Sequence, residues 1–148
     1  MWRHAPLGAL RAFTRLHRWV YLRSKGWLGH HMTGRLTSLV LHTTGRKSGQ
    51  TRSTVLVYGR QGDALVVVGS NFGGDRPPGW LLNLESEPRA EVHVGRRRIA
   101  VTAEILFPGS AGYDELVPLA DRSTGGTFPR YRAAVARPIP VVRLVPAT

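Results

Sequence analysis

The stretch TTGRKSGQTR, residues 43–52, sets Arg46, Lys47 and Arg52 within ten positions, together with hydroxyls at Thr43, Thr44, Ser48 and Thr51 and glycines at 45 and 49. A hairpin turn needs only about two to five residues and no charge. Three cations in one short turn repel each other unless an anion sits among them. A glycine-rich turn can also aim several backbone N–H groups at one such anion. Arg46 and Arg52 bring forked donors suited to phosphate or carboxylate, and Lys47 brings a point charge. The stretch is not a P-loop, because the G-x-x-x-x-G-K-[ST] spacing is absent and no helical pattern follows. A solvated basic hairpin tip accounts for the same residues, so the turn alone does not name its anion.

Other chemically capable residues are sparse. His30 and His31 adjoin each other in a glycine-rich linker without a nearby carboxylate, so no metal site is expected; His42 and His93 fall in strand-like segments and read as structural. The chain has no cysteine, which excludes disulfides, zinc–thiolate centres and a cysteine nucleophile. No paired acid and base stands out.

The charge is unevenly spread. The formal net charge is +12, and from Met1 to Gly62 there are eleven Lys or Arg and no Asp or Glu. A field of that sign recruits nucleic acid, anionic lipid or a polyanionic small molecule. The N-terminus lacks an unbroken apolar run of signal-peptide type, since Arg11, Arg15 and Arg18 interrupt it. No stretch approaches the roughly 20 apolar residues that span a bilayer. The expectation is an intracellular, cytoplasmic protein, at most peripheral on the cytoplasmic face of the membrane.

The elements that must position these residues follow from periodicity. Residues 5–22 read as an amphipathic helix, with Ala9, Leu10, Phe13, Leu16 and Val20 on one face, and a glycine-punctuated linker follows. This gives an N-terminal unit over 1–33 and a folded domain over 34–148. Strands are predicted over 36–44, 53–60, 64–70, 90–95, 98–105 and 139–145. Residues 79–87 form a short helix between Pro78 and Pro88, and further short helices fall in 110–122 and 128–136. Most gaps between strands are too short for parallel crossovers. The expected fold is mainly β, a small and mostly antiparallel barrel with peripheral helices.

TTGRKSGQTR, a hairpin ending in VVVGSN, a Gly-Gly loop, P-x-W-x-x-N-L and then EP before a strand together resemble the deazaflavin-dependent nitroreductase and F420H2-dependent quinone reductase family. The likeness runs in order from about residue 36 to 145. It implies a split β-barrel, and it implies coenzyme F420, a polyanion with a phosphodiester, a glutamate tail and an aromatic head, as hydride donor to a quinone, enone or nitroaromatic. Arg46, Lys47, Ser48 and Arg52 match the family's phosphate and tail positions. Ser53, Thr54, Val55, Leu56 and Val57 match the strand under the ring, and Val68, Gly69, Ser70 and Asn71 the strand end that meets the deazaflavin. Gly79, Trp80, Leu81, Leu82 and Asn83 match the helix start, and Tyr131 a tyrosine lying over the ring. The resemblance casts Ser70 and Tyr131 as catalytic. Val55 replaces a common proline, Val57 a tyrosine that lines the acceptor pocket of a nitroreductase relative, and Ala134 an aromatic. The cofactor positions therefore match while the acceptor positions are altered.

Hydride transfer is the cofactor's own chemistry, and the protein supplies binding, orientation and exclusion of water. A lipid-soluble acceptor would suit the basic N-terminal helix, which would attract anionic headgroups of the inner leaflet. A nucleic-acid-binding basic barrel is the rival reading, although no row of exposed aromatics alternates with cations along the strands, and no nucleic acid is expected. The same barrel filled with FMN is a third. The chain is expected to be a monomer or a homodimer.

Overall fold

The structure is a computed structural model and describes residues 37–147. The N-terminal helix expected over 5–22, its linker and the His30–His31 pair lie outside the described residues.

Alternating apolar residues produce seven strands: β1 (Ser38–Thr44), β2 (Thr51–Val57), β3 (Gly59–Gln61), β4 (Ala64–Val68), β5 (Arg89–Val94), β6 (Arg97–Leu106) and β7 (Val141–Pro146). Every pairing is antiparallel, in the order β2-β1-β5-β6-β7-β4-β3. The outermost strands, β2 and β3, are consecutive in sequence. The chain thus steps from one edge of the sheet to the other at Tyr58, which curls the sheet into the split barrel. Tyr58 N donates to Thr37 O at 3.1 Å, and Thr37 Oγ1 donates to Tyr58 O at 3.3 Å, pinning the step to the start of β1.

This corrects the strand count. The sequence reads six strands, with 53–60 as one strand paired to 64–70. The structure divides that run: Thr51–Val57 pairs with β1, and only Gly59–Gln61 pairs with β4. Closing a sheet requires a strand to change partners, and a uniform apolar run does not show where. Gly59 marks the place, since a Cβ there would lie 2.6 Å from Leu119 Cδ1.

Three helices complete the fold: α1 (Gly79–Ser86), α2 (Tyr113–Ser123) and α3 (Phe128–Ala134). Strand alternation sorts the core into two layers. Leu39, Leu41, Leu65, Val67, Val92, Val94, Val142 and Leu144 fill the barrel, joined by Leu81 and Leu84 of α1. Val66, Val68 and Val141 face outward and are covered by Tyr113, Leu116 and Ala120 of α2 and Phe128 of α3. β4 is therefore buried on both faces, which explains its unbroken ALVVV run. Each such leucine or valine contributes about 1.5–3 kcal/mol on burial. Thr124 joins α2 to α3: its Oγ1 donates to Ala120 O at 2.9 Å and accepts from Phe128 N at 3.1 Å. Tyr113 Oη donates to Ile139 O at 3.0 Å, anchoring α2 to the approach of β7.

Candidate functional site

The β1–β2 turn closes on its own backbone. Gly45 N donates to Gln50 O at 2.7 Å, Gly49 N to Gly45 O at 2.8 Å, and Gln50 N to Ser48 Oγ at 3.1 Å. Gly49 holds φ +70°, a left-handed conformation that glycine adopts without strain. A Cβ at Gly45 would meet Ser48 Oγ at 2.8 Å, so the Ser48 hydroxyl braces the inside of the turn. Arg46, Lys47 and Arg52 are exposed.

The turn is tied to α1 through a buried amide. Asn83 Oδ1 accepts from Arg46 N at 3.1 Å and from Arg46 Nη1 at 3.2 Å, while Asn83 Nδ2 donates to Thr43 Oγ1 at 3.1 Å. Asn83 and Thr43 are both buried. The sequence nominates Asn83 as a cofactor contact; the structure engages both ends of its amide within the protein and makes it the brace that aims Arg46. Pro78, with φ −66°, starts α1, and the next turn drives Leu81 and Leu84 into the barrel with Trp80 packed against the same core. Gly79 is exposed, Trp80 and Leu82 are half-buried, and Leu81 and Asn83 are buried.

α1 meets the end of β4 at Gly69, where a Cβ would lie 3.1 Å from both Leu81 Cδ2 and Pro140 Cγ. From there the chain makes a 3-10 turn over Asn71–Gly73, with Asn71 at φ +47° and Gly73 at φ +75°. A guanidinium holds this turn from behind. Arg137 Nη1 donates to Gly69 O at 3.1 Å, Nη2 to Ser70 O at 2.9 Å and Nε to Gly74 O at 3.1 Å. Burial lowers the Arg137 pKa and the Asp75 charge opposes that shift. Asn71 Nδ2 closes the turn onto Arg76 O at 3.0 Å. Tyr131 of α3 lies across the turn, its Cδ1 3.1 Å from where a Cβ on Gly73 would stand.

Along β2, alternation puts Thr54 and Leu56 on one face and Ser53, Val55 and Val57 on the other. Leu56 packs on the barrel core, so its face of β2 is filled at that point.

The nominated residues are thus brought into one connected tract. The basic turn is bonded to α1, α1 packs on the end of β4, and that strand end leads into the turn beneath Tyr131. Sequence reasoning missed Arg137. Its partners are three carbonyls, which any residue can supply, so no motif announces it. An open cavity of about 520 Å³ lined by Thr37, Tyr58, Gly59, Arg60, Val94, Gly95 and Arg97 sits at the opposite end of β1 and shares none of these residues.

Comparison with known proteins gives one answer. The sequence profile of F420H(2)-dependent quinone reductases matches residues 13–146. An F420H(2)-dependent quinone reductase of Mycobacterium tuberculosis is 41% identical over 130 residues, covering 88% of this chain and 87% of the relative. Among solved structures, an F420-H2 dependent reductase, FDR-A, is similar with a TM-score of 0.65 and 25% identity, over 72% of this chain and 92% of its own. A protein described as a domain-swapped dimer is similar with a TM-score of 0.68 and 24% identity, over 88% of this chain and 95% of its own, a likeness of fold alone. With its basic turn, its braced helix start and its curled antiparallel sheet, the chain belongs to the F420H(2)-dependent quinone reductase family.

Proposed function

We propose that this protein carries a hydride from reduced coenzyme F420 to a quinone. The observation that supports this reading most is the state of the three cations of the β1–β2 turn. Among the described residues the ion pairs are Arg89–Glu87, Arg98–Glu91 and Arg143–Glu104. No acidic side chain among them engages Arg46, Lys47 or Arg52, so an external polyanion fits.

In this reading Arg46, Lys47 and Arg52, beside Ser48, hold the phosphodiester and the glutamate tail. The ring lies along the face of β2 that carries Ser53, Val55 and Val57, and reaches the strand end Val68–Asn71. The first turn of α1, at Gly79 and Trp80, turns its dipole toward negative charge. Bound in its reduced form, the cofactor supplies the hydride. Ser70 is buried and makes no side-chain cap to its own turn, which leaves its hydroxyl for the ring edge. Tyr131 closes the site and keeps water from it.

The acceptor is a lipid-soluble quinone rather than a nitroaromatic, because Val57 and Ala134 stand where the resemblance expects acceptor-contacting aromatics. The basic N-terminal segment would bring the enzyme to that acceptor at an anionic membrane face; sedimentation with acidic vesicles but not with neutral ones tests this.

The deciding experiment is fluorescence titration of oxidised F420 with purified protein, run beside FMN at several salt concentrations. Binding of F420 that weakens with salt supports the reading. Absence of F420 binding overturns it, and salt-dependent retention of DNA would then point to the basic-barrel alternative. Turnover with a quinone but not with a nitroaromatic tests the choice of acceptor.

A further inference from the structure

Tyr131 and Arg132 are neighbours on α3 but meet different partners. Successive helical residues are turned by about 100°, so Arg132 stands about 40° to one side of Phe128 and Tyr131 about 60° to the other. Phe128, between them, is wholly buried in the outer layer with Val66, Tyr113 and Leu116. Tyr131 lies on the turn at Gly73. On the other side the Arg132 guanidinium lies over two rings, its Cζ 5.4 Å from the centroid of Phe128 and 5.9 Å from that of Tyr113.

Both rings are fixed points. Each is buried, and Tyr113 Oη is bonded to Ile139 O. Burial raises the Tyr113 pKa, the Arg132 charge opposes that shift, and Asp114 and Asp121 add to it. No carboxylate draws the guanidinium away, since the ion pairs among the described residues engage Arg89, Arg98 and Arg143 instead. A guanidinium over an aromatic face is a favourable contact even at an exposed position.

α3 needs such a restraint. It has seven residues, its N-cap Thr127 makes no side-chain cap, and it is entered through Gly125 at φ +66° and Gly126 at φ +82°. A helix this short is held weakly by its own backbone bonds. Phe128 N on Thr124 Oγ1 ties its start, and Arg137 ties the chain three residues past its end. Neither contact sets the rotation of the helix about its axis. Phe128 is the pivot of that rotation, with Tyr131 and Arg132 on either side of it.

We propose that Arg132 is a positioning residue: by stacking on Phe128 and Tyr113 it stops α3 from rolling and so keeps Tyr131 down on the Gly73 turn. The inference rests on the reading of Tyr131 as the residue that closes the hydride-transfer site.

The test uses the full chain as wild type, Arg132→Met, Arg132→Lys, Tyr131→Leu and the Tyr131→Leu/Arg132→Met double variant. Two cation–π contacts at an exposed position correspond to a factor of about 5–30 in an equilibrium. Hydrogen exchange of the Tyr131 amide in the ligand-free protein should therefore speed up by about that factor in Arg132→Met, and by less in Arg132→Lys. F420 affinity should change little, because Arg132 is not among the residues that hold the tail or the ring. Single-turnover oxidation of the reduced cofactor by a quinone should slow by roughly tenfold in Arg132→Met, the scale of a small misplacement, with partial rescue in Arg132→Lys. Adding Arg132→Met to Tyr131→Leu should slow it no further, since both changes act through one side chain. Unchanged exchange at Tyr131 overturns the restraint. An unchanged rate in Arg132→Met, or fully additive slowing in the double variant, overturns its service to the site. Failure of the wild type to bind F420 overturns the cofactor reading and the service to it, while the exchange result still decides whether Arg132 holds α3.

Discussion

The β1–β2 turn and the Gly69–Gly74 turn hold the two ends of the candidate site by different means. The first presents cations outward from a backbone that folds on itself, with Arg46 steadied by Asn83. The second, GSNFGG, carries no charged side chain and is wrapped around Arg137, a guanidinium from more than sixty residues away in the chain. An exposed cationic turn recognises charge, tolerates small displacements and responds to salt. A turn with three carbonyls drawn to one fork recognises shape and responds to geometry. The pairing suits a ligand with a polyanionic tail and a flat head, one end needing attraction and the other placement.

This contrast can be broken at either end. Replacing Arg46 and Lys47 together by alanine removes charge-assisted contacts of about 1.5–3 kcal/mol each. F420 affinity should fall by on the order of 10²–10⁴-fold, with a clearly flatter salt dependence. Arg137→Lys keeps the charge but not the fork, and should weaken F420 binding by about tenfold while leaving the salt slope as it is. A lysine variant whose salt slope changed would mean that Arg137 also meets the tail. Asn83→Leu fills the same space but leaves Thr43 and Arg46 without their partner. It should lower stability by about 1–3 kcal/mol, read as a fall in the denaturant midpoint, with a smaller loss of affinity.

The smallest effect concerns pH. His93 has its pKa lowered by burial, so the unfolded chain binds its proton more readily than the folded one does. Its contribution to stability is whole above the unfolded value of about 6.5 and drains away as pH falls from there toward the folded value. Thermal midpoints should therefore drop more steeply below that pH in the wild type than in His93→Gln.

Much of this was legible in the sequence because it rests on local pattern. The β1–β2 hairpin shows itself through glycines set between apolar runs. The Pro77-Pro78 start of α1 fixes where the helix can begin. The antiparallel barrel follows from gaps too short for crossovers. What stayed hidden depends on partners far away in sequence. STVLVYGR reads as one strand because nothing local marks Tyr58 as the point where the chain changes partners. Arg137 looks like any surface arginine until the carbonyls of Gly69, Ser70 and Gly74 converge on it. His42 and His93 are 51 positions apart, and their contact needs the β1–β5 register. For the ligand, the cations specified only an anion; its identity entered through the family likeness.

The step at Tyr58 has one more consequence. β3 belongs by chain to the stretch before Gly62 but pairs with β4, while β1, from the same part, pairs with β5. A backbone cut in the exposed turn between β3 and β4, beside Gly62 at φ +58°, would leave two fragments gripping each other on both sides of the barrel. The basic turn and Ser53 would lie in one piece, with the Arg137-held turn and Tyr131 in the other. Reassembly of the halves would then restore ligand binding, which makes the molecule a natural frame for a two-piece complementation reporter.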